Sequence, residues 1–371
     1  MKEAMGVWRA LKREVVSSKV DLRNYVKVFL GVEIPDIVVC EGHSSPMDYL
    51  WHCFNSDFCG VRGNSDAIVW ANRAGGKTQL AAIATLLDCI FKDGCQVRIL
   101  GGSGAQAGRM YEYLRGFLQR SFLGDVDGKI LNSGCKFLNG SSVEVLTQSH
   151  TSVRGQHIQK LRCDEVELFS SEVFSAAKFT THSKGFINAS MEVLSTMHRP
   201  YGLMQKLVDE SGDNGTALFK WCLWEVIERC RDRECSQCRL WNDCGGRAKE
   251  SDGYLSIDDC ITMRGRASSA GWQSEMLCER PNLEDVVFDE FDSEVNVVDV
   301  GYDERLGLYR AIDFGFVNPF VCLWIQVDED GVVRVIDEYI KSRMTVEQHG
   351  EAIKKLTPCS EEYVSGTFCD P

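Results

Sequence analysis

Ala71-Asn72-Arg73-Ala74-Gly75-Gly76-Lys77-Thr78 brings together the groups needed to hold a triphosphate. A glycine-bearing loop that leads into Lys-Thr at a helix start aims backbone N–H groups and the positive end of the helix at an anion. Lys77 can reach the β- and γ-phosphates, and Thr78 can place its hydroxyl on Mg2+. Position 71 is Ala where the common pattern has Gly. Downstream, Leu161-Arg162-Cys163-Asp164-Glu165 ends an apolar run in two carboxylates. Asp164 can hold the same Mg2+, and Glu165 can polarise a water for attack on the γ-phosphate. Either half alone could be a loop or a buried strand with surface acids. Both halves in this order predict a site that hydrolyses ATP, with the triphosphate clasped between a lysine-bearing turn and an acidic pair on adjacent strand tips.

Other residues could contribute to the same chemistry. Arg73 is either a solvated charge or a group that steadies charge in the transition state. Arg154, in Ser152-Val153-Arg154-Gly155-Gln156, is either a turn arginine or a finger that completes a neighbouring copy's site. Ser195-Thr196 follow an apolar run, where hydroxyls could register the loss of a γ-phosphate; a simple strand-to-loop transition is the alternative. His198 reads as a structural loop histidine.

Two further groups suggest metal ions. Cys230, Cys235, Cys238 and Cys244 have the spacing C-x4-C-x2-C-x5-C in a polar, Gly-containing segment, the pattern of a metal knuckle. Four thiolates suit structural Zn2+, and the C-x2-C-x5-C part also suits an iron–sulfur cluster. Asp313, in Ile312-Asp313-Phe314-Gly315, and Asp370, in Phe368-Cys369-Asp370-Pro371, are candidate ligands for the paired Mg2+ or Mn2+ ions that cut phosphodiesters, with Glu338 as a further candidate.

The elements that must position these groups follow from periodicity. Met5 to Val16 and Leu22 to Leu30 pattern as amphipathic helices, and Pro46 to Phe54 as a short helix capped by Ser44 or Ser45. From Ala67, strand and helix signals alternate: strands at 68–70, 96–101, 159–163 and 191–196, and helices at 79–92, 105–119 and 171–178. A hairpin is expected to turn at Asn139-Gly140. Such alternation implies a mainly parallel sheet flanked by helices, with ligands at the carboxyl ends of its strands. Loop 71–78, Asp164-Glu165 and Ser195-Thr196 all fall at such ends. The predicted fold is therefore α/β: a P-loop NTPase sheet of the ASCE type over 1–225, a linker subdomain with the four-cysteine insertion over 226–305, and the start of a ribonuclease-H-like domain over 306–371. The last is read from strands at 308–315, 319–327 and 332–339, a helix at 345–356 and a strand ending near 368–371.

Composition sets bounds. A chain of 371 residues, 44% apolar and 26% charged, is an ordinary globular chain with room for two or three domains. No apolar run reaches bilayer length, and Met1-Lys2-Glu3-Ala4-Met5 lacks the apolar core of a secretory signal, so a cytosolic protein without a membrane partner is expected. The net charge of −13 argues against binding nucleic acid over the whole surface, though not through a local basic patch. Seventeen cysteines in a cytosolic chain are expected as thiols or metal ligands rather than disulfides, with Cys89, Cys163 and Cys322 as small core residues.

From about Glu41 to Pro371 these motifs resemble the large subunit of the tailed-bacteriophage terminase, a packaging ATPase with a nuclease attached. The resemblance makes 71–78 a variant Walker A motif with its internal Arg73, and Cys163-Asp164-Glu165 a Walker B motif with Glu165 catalytic. It makes Ser195-Thr196 the coupling motif and the Val153-Arg154-Gly155 stretch the source of a trans-acting arginine. Asp313 and Asp370 become the first two nuclease aspartates, and Gly42 to Trp51 the stretch that meets the adenine. A third nuclease acid lies beyond Pro371 in that family, so the resemblance implies a nuclease domain that is incomplete in this chain. The implied partners are double-stranded DNA, the portal of a procapsid, the small terminase subunit and further copies of the chain in a ring. The implied location is the host cytoplasm rather than the mature virion. A helicase-like translocase is the nearest alternative, although a second motor domain would be needed where the cysteine cluster stands. A non-catalytic zinc-bearing scaffold, supported by Ala71 alone, is the other.

Overall fold

The computed structural model describes residues 16–60, 63–146, 157–281, 296–316 and 318–369. Arg154, Asp370 and most of the helix expected at 5–16 lie outside them. The chain divides into two compact units, Met1–Val287 and Phe288–Pro371. The segment carrying Cys230 to Cys244 belongs to the first.

The first unit is built on an eight-stranded sheet in the order β3-β4-β5-β2-β6-β7-β1-β8. Its strands are β1 (Ala67–Ala71), β2 (Gln96–Gly101), β3 (Val126–Asp127), β4 (Gly134–Phe137), β5 (Ser142–Leu146), β6 (Lys160–Asp164), β7 (Ser190–Ser195) and β8 (Ala217–Trp221). From β5 through β8 every neighbouring pair is parallel, while β3, β4 and β5 pair antiparallel. The hairpin expected at Asn139-Gly140 joins β4 to β5, with Gly140 at φ 82°. Strands β1, β6 and β7 are buried along their whole length, as central parallel strands covered on both faces must be. The order corrects one expectation. The loop-bearing strand β1 and the acid-bearing strand β6 are not adjacent, because β7 is inserted between them. Ser195, at the end of β7, therefore stands between the two halves of the motif.

Side chains alternate across β1. Ala67, Val69 and Ala71 join one core, and Ile68 and Trp70 join the other. The first core takes the apolar faces of α1 (Lys19–Leu30), α2 (Pro46–Asn55), α3 (Lys77–Phe91) and α4 (Gly104–Phe117). The second takes α5 (Ser171–Ala177), α6 (Leu203–Asn214), α7 (Leu223–Val226) and part of the cysteine-rich segment, including α8 (Trp241–Cys244). It also holds residues of α9 (Ile257–Arg266) and α10 (Ser269–Glu275). Of the two expected caps for α2, Ser45 is the one used, and it forms a reciprocal capping box with Asp48.

The second unit has a four-stranded sheet in the order β11-β10-β9-β12. Strands β9 (Leu308–Asp313), β10 (Phe320–Val327) and β11 (Val333–Lys341) run antiparallel, then α11 (Val346–Leu356) leads to β12 (Val364–Cys369), which lies parallel to β9. This is the topology expected of a ribonuclease-H-like start. Burial alternates along β10, and Phe320, Cys322 and Trp324 form the core with Leu308, Tyr339 and Ile353. Cys89, Cys163 and Cys322 are buried free thiols, as their apolar contexts suggest. Among the described residues no helix is long and apolar enough to cross a membrane.

Candidate nucleotide-binding site

The loop between β1 and α3 is held by groups far away in sequence. The Asn72 N–H donates to the Trp221 carbonyl at 3.3 Å, and the Asn72 carbonyl accepts from the Gly75 N–H at 3.0 Å. The Trp221 indole N–H donates to the Gly75 carbonyl at 2.8 Å, and the Tyr254 hydroxyl donates to the Ala74 carbonyl at 3.0 Å. The Arg73 N–H donates to the Glu275 carbonyl at 2.7 Å. Ala74 and Gly76 both take positive φ, 59° and 79°, which turns the chain sharply into α3. A Cβ at position 75 would lie 2.3 Å from Asn72 Oδ1, so the close approach there requires glycine. Position 71 has no such need. Ala71 is the buried last residue of β1, paired with Trp221, and its φ is not positive. Ala in place of Gly therefore leaves the loop intact.

The acidic half sits opposite the loop. Asp164, the last residue of β6, is buried, and its Oδ2 accepts from Thr78 Oγ1 at 2.9 Å. Its other oxygen, Oδ1, is buried with no hydrogen-bond partner. Burial, and secondarily the neighbouring Glu165, push the Asp164 carboxyl up to about 6. A hydroxyl and an orphaned carboxylate oxygen side by side are oxygen donors that suit Mg2+. Glu165 follows in a left-handed conformation, φ 55° and ψ 53°, which is uncommon outside glycine. Its Oε1 lies 3.1 Å from Lys77 Nζ, and its Oε2 accepts from Ser195 Oγ at 3.3 Å. Ser195 Oγ in turn accepts from the Glu167 N–H at 3.4 Å. Thr196 is buried, with Oγ1 3.1 Å from His198 Nδ1. Lys77, Thr78, Asp164, Glu165 and Ser195 are thus brought together, while Arg73 is largely exposed, with its guanidinium 3.7 Å from Glu275.

The remaining expected residues fall elsewhere. Cys230, Cys235, Cys238 and Cys244 line one cavity with Arg233, Trp241 and Ile257, and Cys244 Sγ accepts from the Ala248 N–H at 3.5 Å. Among the described residues, however, the group of metal-capable side chains whose ligand atoms all lie within 4.8 Å of one another is a different one: Cys40, His43, Cys222 and Glu225. Asp313 is exposed at the end of β9, opposite Val321, and Glu338 lies opposite Leu323. That register puts both acids on the sheet face away from Phe320, Cys322 and Trp324.

Sequence reasoning passed over Trp221, Tyr254 and the Cys40 cluster. A signal for the cluster was present. Cys40 and His43, and Cys222 and Glu225, are two pairs with the x2 spacing of metal half-sites.

No family model and no curated protein matches the chain. Solved structures do. The large terminase of a thermophilic bacteriophage is 15% identical with a TM-score of 0.49, over 87% of this chain and 76% of that one. The large terminase of bacteriophage HK97 is 14% identical with a TM-score of 0.48, over 88% of this chain and 69% of that one. The ATPase domain of the large terminase of Thermus phage P74-26 is 14% identical with a TM-score of 0.37, over 63% of this chain and 98% of that one. The chain thus resembles, at low identity, structures of bacteriophage large terminases.

Proposed function

We propose that the first unit hydrolyses ATP and that the chain is the motor of a viral DNA-packaging machine. The observation that carries the ATPase reading is the Asp164 carboxylate: one oxygen on the Thr78 hydroxyl at 2.9 Å, the other buried without a partner, at the tip of a strand facing the loop. Thr78 and Asp164 would hold Mg2+, which would supply positive charge to offset that of the triphosphate. The N–H groups of residues 72–78 and the start of α3 cradle the phosphates, as anions are held at helix N-termini. Lys77 leaves Glu165 to meet the γ-phosphate, with Arg73 beside it. Glu165 then accepts a proton from the attacking water. Ser195 and Thr196 register the departure of the γ-phosphate and pass the change to the strands behind them.

The step from ATPase to packaging motor rests on the order of motifs: variant Walker A, Walker B, coupling hydroxyls, then a ribonuclease-H-like sheet led by Asp313. In this reading Arg154 completes the site of a neighbouring copy in a ring on the portal of a procapsid. The motor works on double-stranded DNA in the host cytoplasm, with the small terminase subunit as partner. Asp313 and Asp370 contribute to a metal-dependent nuclease, and Cys230, Cys235, Cys238 and Cys244 hold structural zinc.

The test is steady-state ATP hydrolysis and nucleotide binding by the wild type and by Glu165→Gln, each with and without double-stranded DNA. The variant is expected to bind ATP normally and to lose turnover by about a hundredfold or more, and DNA is expected to stimulate the wild type. Equal, near-zero rates for both proteins would leave a nucleotide-free scaffold as the better reading.

A further inference from the structure

Cys40, His43, Cys222 and Glu225 form a half-buried cluster that the phosphate chemistry proposed above does not use. Cys40 and His43 come from the segment between α1 and α2, and Cys222 and Glu225 flank the start of α7. Cys40 Sγ and Cys222 Sγ are 3.8 Å apart. Two sulfurs bound at about 2.3 Å to one tetrahedral zinc are separated by about 3.8 Å as well.

Glu225 explains why the cluster is ordered. Its Oε1 accepts N–H groups from Val39 at 3.2 Å and Cys40 at 2.8 Å. Its Oε2 accepts the Cys222 N–H at 2.8 Å and lies 2.9 Å from His43 Nδ1. The carboxylate is therefore already occupied and acts as an organiser. By engaging Nδ1 it leaves Nε2 as the His43 nitrogen that can ligate, the carboxylate–imidazole–metal arrangement found around zinc. The charges also balance. Two thiolates and one carboxylate carry three negative charges, and a dication together with Arg247, whose guanidinium donates to Cys40 Sγ at 3.7 Å, offsets them.

We propose that Cys40, Cys222 and His43 bind a thiophilic divalent ion, with zinc as the fitting chemistry, and that Glu225 is the positioning residue. The inference does not depend on the ATPase reading. The site would nonetheless bear on the phosphate loop. Cys222 directly follows Trp221, whose indole N–H donates to the Gly75 carbonyl and whose own carbonyl accepts from the Asn72 N–H and the Cys278 thiol. Metal bound there ties segment 39–43 to the strand end that braces the loop.

Because the Cys230 group can also take metal, the test must be residue-specific. The reduced full chain, stripped of metal, is treated with a maleimide, and alkylation of Cys40 is followed by peptide mass spectrometry. Stoichiometric zinc is expected to slow Cys40 alkylation about tenfold or more, and a chelator to restore it. Glu225→Gln is expected to raise the zinc needed by about 10- to 100-fold, and His43→Gln, which removes a ligand, to abolish protection by stoichiometric zinc. The protection should persist in a Cys235→Ser, Cys238→Ser double variant, where cobalt(II) should still give thiolate-to-cobalt charge-transfer absorption. Equal Cys40 alkylation with and without zinc in the wild type overturns the proposal, whatever the variants do. So does protection that survives His43→Gln. If Cys40 resists the maleimide without zinc and is freed only by stronger reduction, the pair is a disulfide and the metal assignment falls.

Discussion

Lys77 Nζ stands 3.1 Å from Glu165 Oε1, so the cation expected to meet the phosphates is held by the carboxylate expected to activate water. Three constraints converge on that carboxylate. Lys77 takes one oxygen, Ser195 Oγ donates to the other at 3.3 Å, and the backbone beneath it is left-handed at φ 55°. A left-handed residue with a Cβ costs on the order of 1 kcal/mol, so packing around β6 must impose it. In the proposed ATPase, a nucleotide that draws Lys77 away would leave Ser195 as the side chain aiming Glu165.

Ser195→Ala should therefore slow hydrolysis more than it weakens binding. A hydrogen bond to a charged group is worth about 1.5–3 kcal/mol, so kcat should fall about tenfold or more while KM for ATP moves less. Steady-state kinetics at saturating Mg2+ checks this. A variant with wild-type kcat would mean that Glu165 is aimed by something other than Ser195.

Asp164 should make the metal-free protein sensitive to pH. Its carboxyl is raised from 3.8 to about 6, by burial first and by Glu165 second. A raised carboxylate favours the protonated folded state. Its contribution is thus fully present below about pH 4 and is lost as pH climbs through about 6. The loss is on the order of 2–3 kcal/mol. The difference in melting temperature between wild type and Asp164→Asn, followed from pH 4 to 7 without Mg2+, should swing against the wild type over that interval. Adding Mg2+ at pH 7 should recover the wild type alone, and the Mg2+ concentration required should rise as pH falls below about 6.

The parts of this site that were legible in the sequence are the contiguous ones. Lys77-Thr78 and Asp164-Glu165 each sit where an apolar run gives way to a loop, and strand ends are where a parallel sheet presents ligands. The second unit was legible for a similar reason, since Phe320, Cys322 and Trp324 alternate along β10. What was hidden depends on distance along the chain. Trp221 and Tyr254 reach the loop across 146 and 180 residues, and no local pattern marks them. β8 itself reads Ala-Leu-Phe-Lys-Trp, an edge strand whose exposure follows no strict alternation, so period two gives no signal. The place of β7 between β1 and β6 is likewise a matter of pairing, on which strand propensity is silent.

The loop glycines should differ in their tolerance of a methyl group. At position 75 a Cβ meets Asn72 Oδ1 at 2.3 Å and the Trp221 indole nitrogen at 3.0 Å, both on buried side chains. At position 76 it meets the Tyr254 hydroxyl at 2.6 Å, the far end of a half-exposed side chain, although φ +79° adds strain. Overpacking costs about 1–3 kcal/mol, so Gly75→Ala should weaken ATP binding by about ten- to a hundredfold, measured by calorimetry. Gly76→Ala should be partly rescued by Tyr254→Phe, which removes the clashing oxygen. Gly75→Ala should gain nothing from that second change. Equal rescue of both would show that Tyr254 shapes the whole loop rather than position 76.

The strand that ends in Asp164 is anchored by buried charge, and this predicts how it fails. Arg162, fully buried in β6, pairs with Asp88 at 2.6 Å and Glu192 at 3.0 Å. Lys92 lies 2.5 Å from both Asp57 and Asp88, Lys160 lies 2.9 Å from Asp57, and the Tyr49 hydroxyl donates to Glu192 at 2.8 Å. Burial alone would raise the Asp88 carboxyl, but Lys92, Arg162 and Lys160 overcome it and hold Asp88 near 2. Three cations face three anions, so removing one cation strands a buried charge. Arg162→Met should cost about 3–5 kcal/mol in urea unfolding, the usual penalty for breaking a buried pair. Pairing it with Glu192→Gln restores the charge balance and should recover part of that loss. Strict additivity of the two changes would mean that Arg162 holds β6 by packing alone. Coupling of about 1 kcal/mol or more, at the scale seen for contacting residues, would mean that charge pairing sets the strand on which Asp164 is presented to the loop.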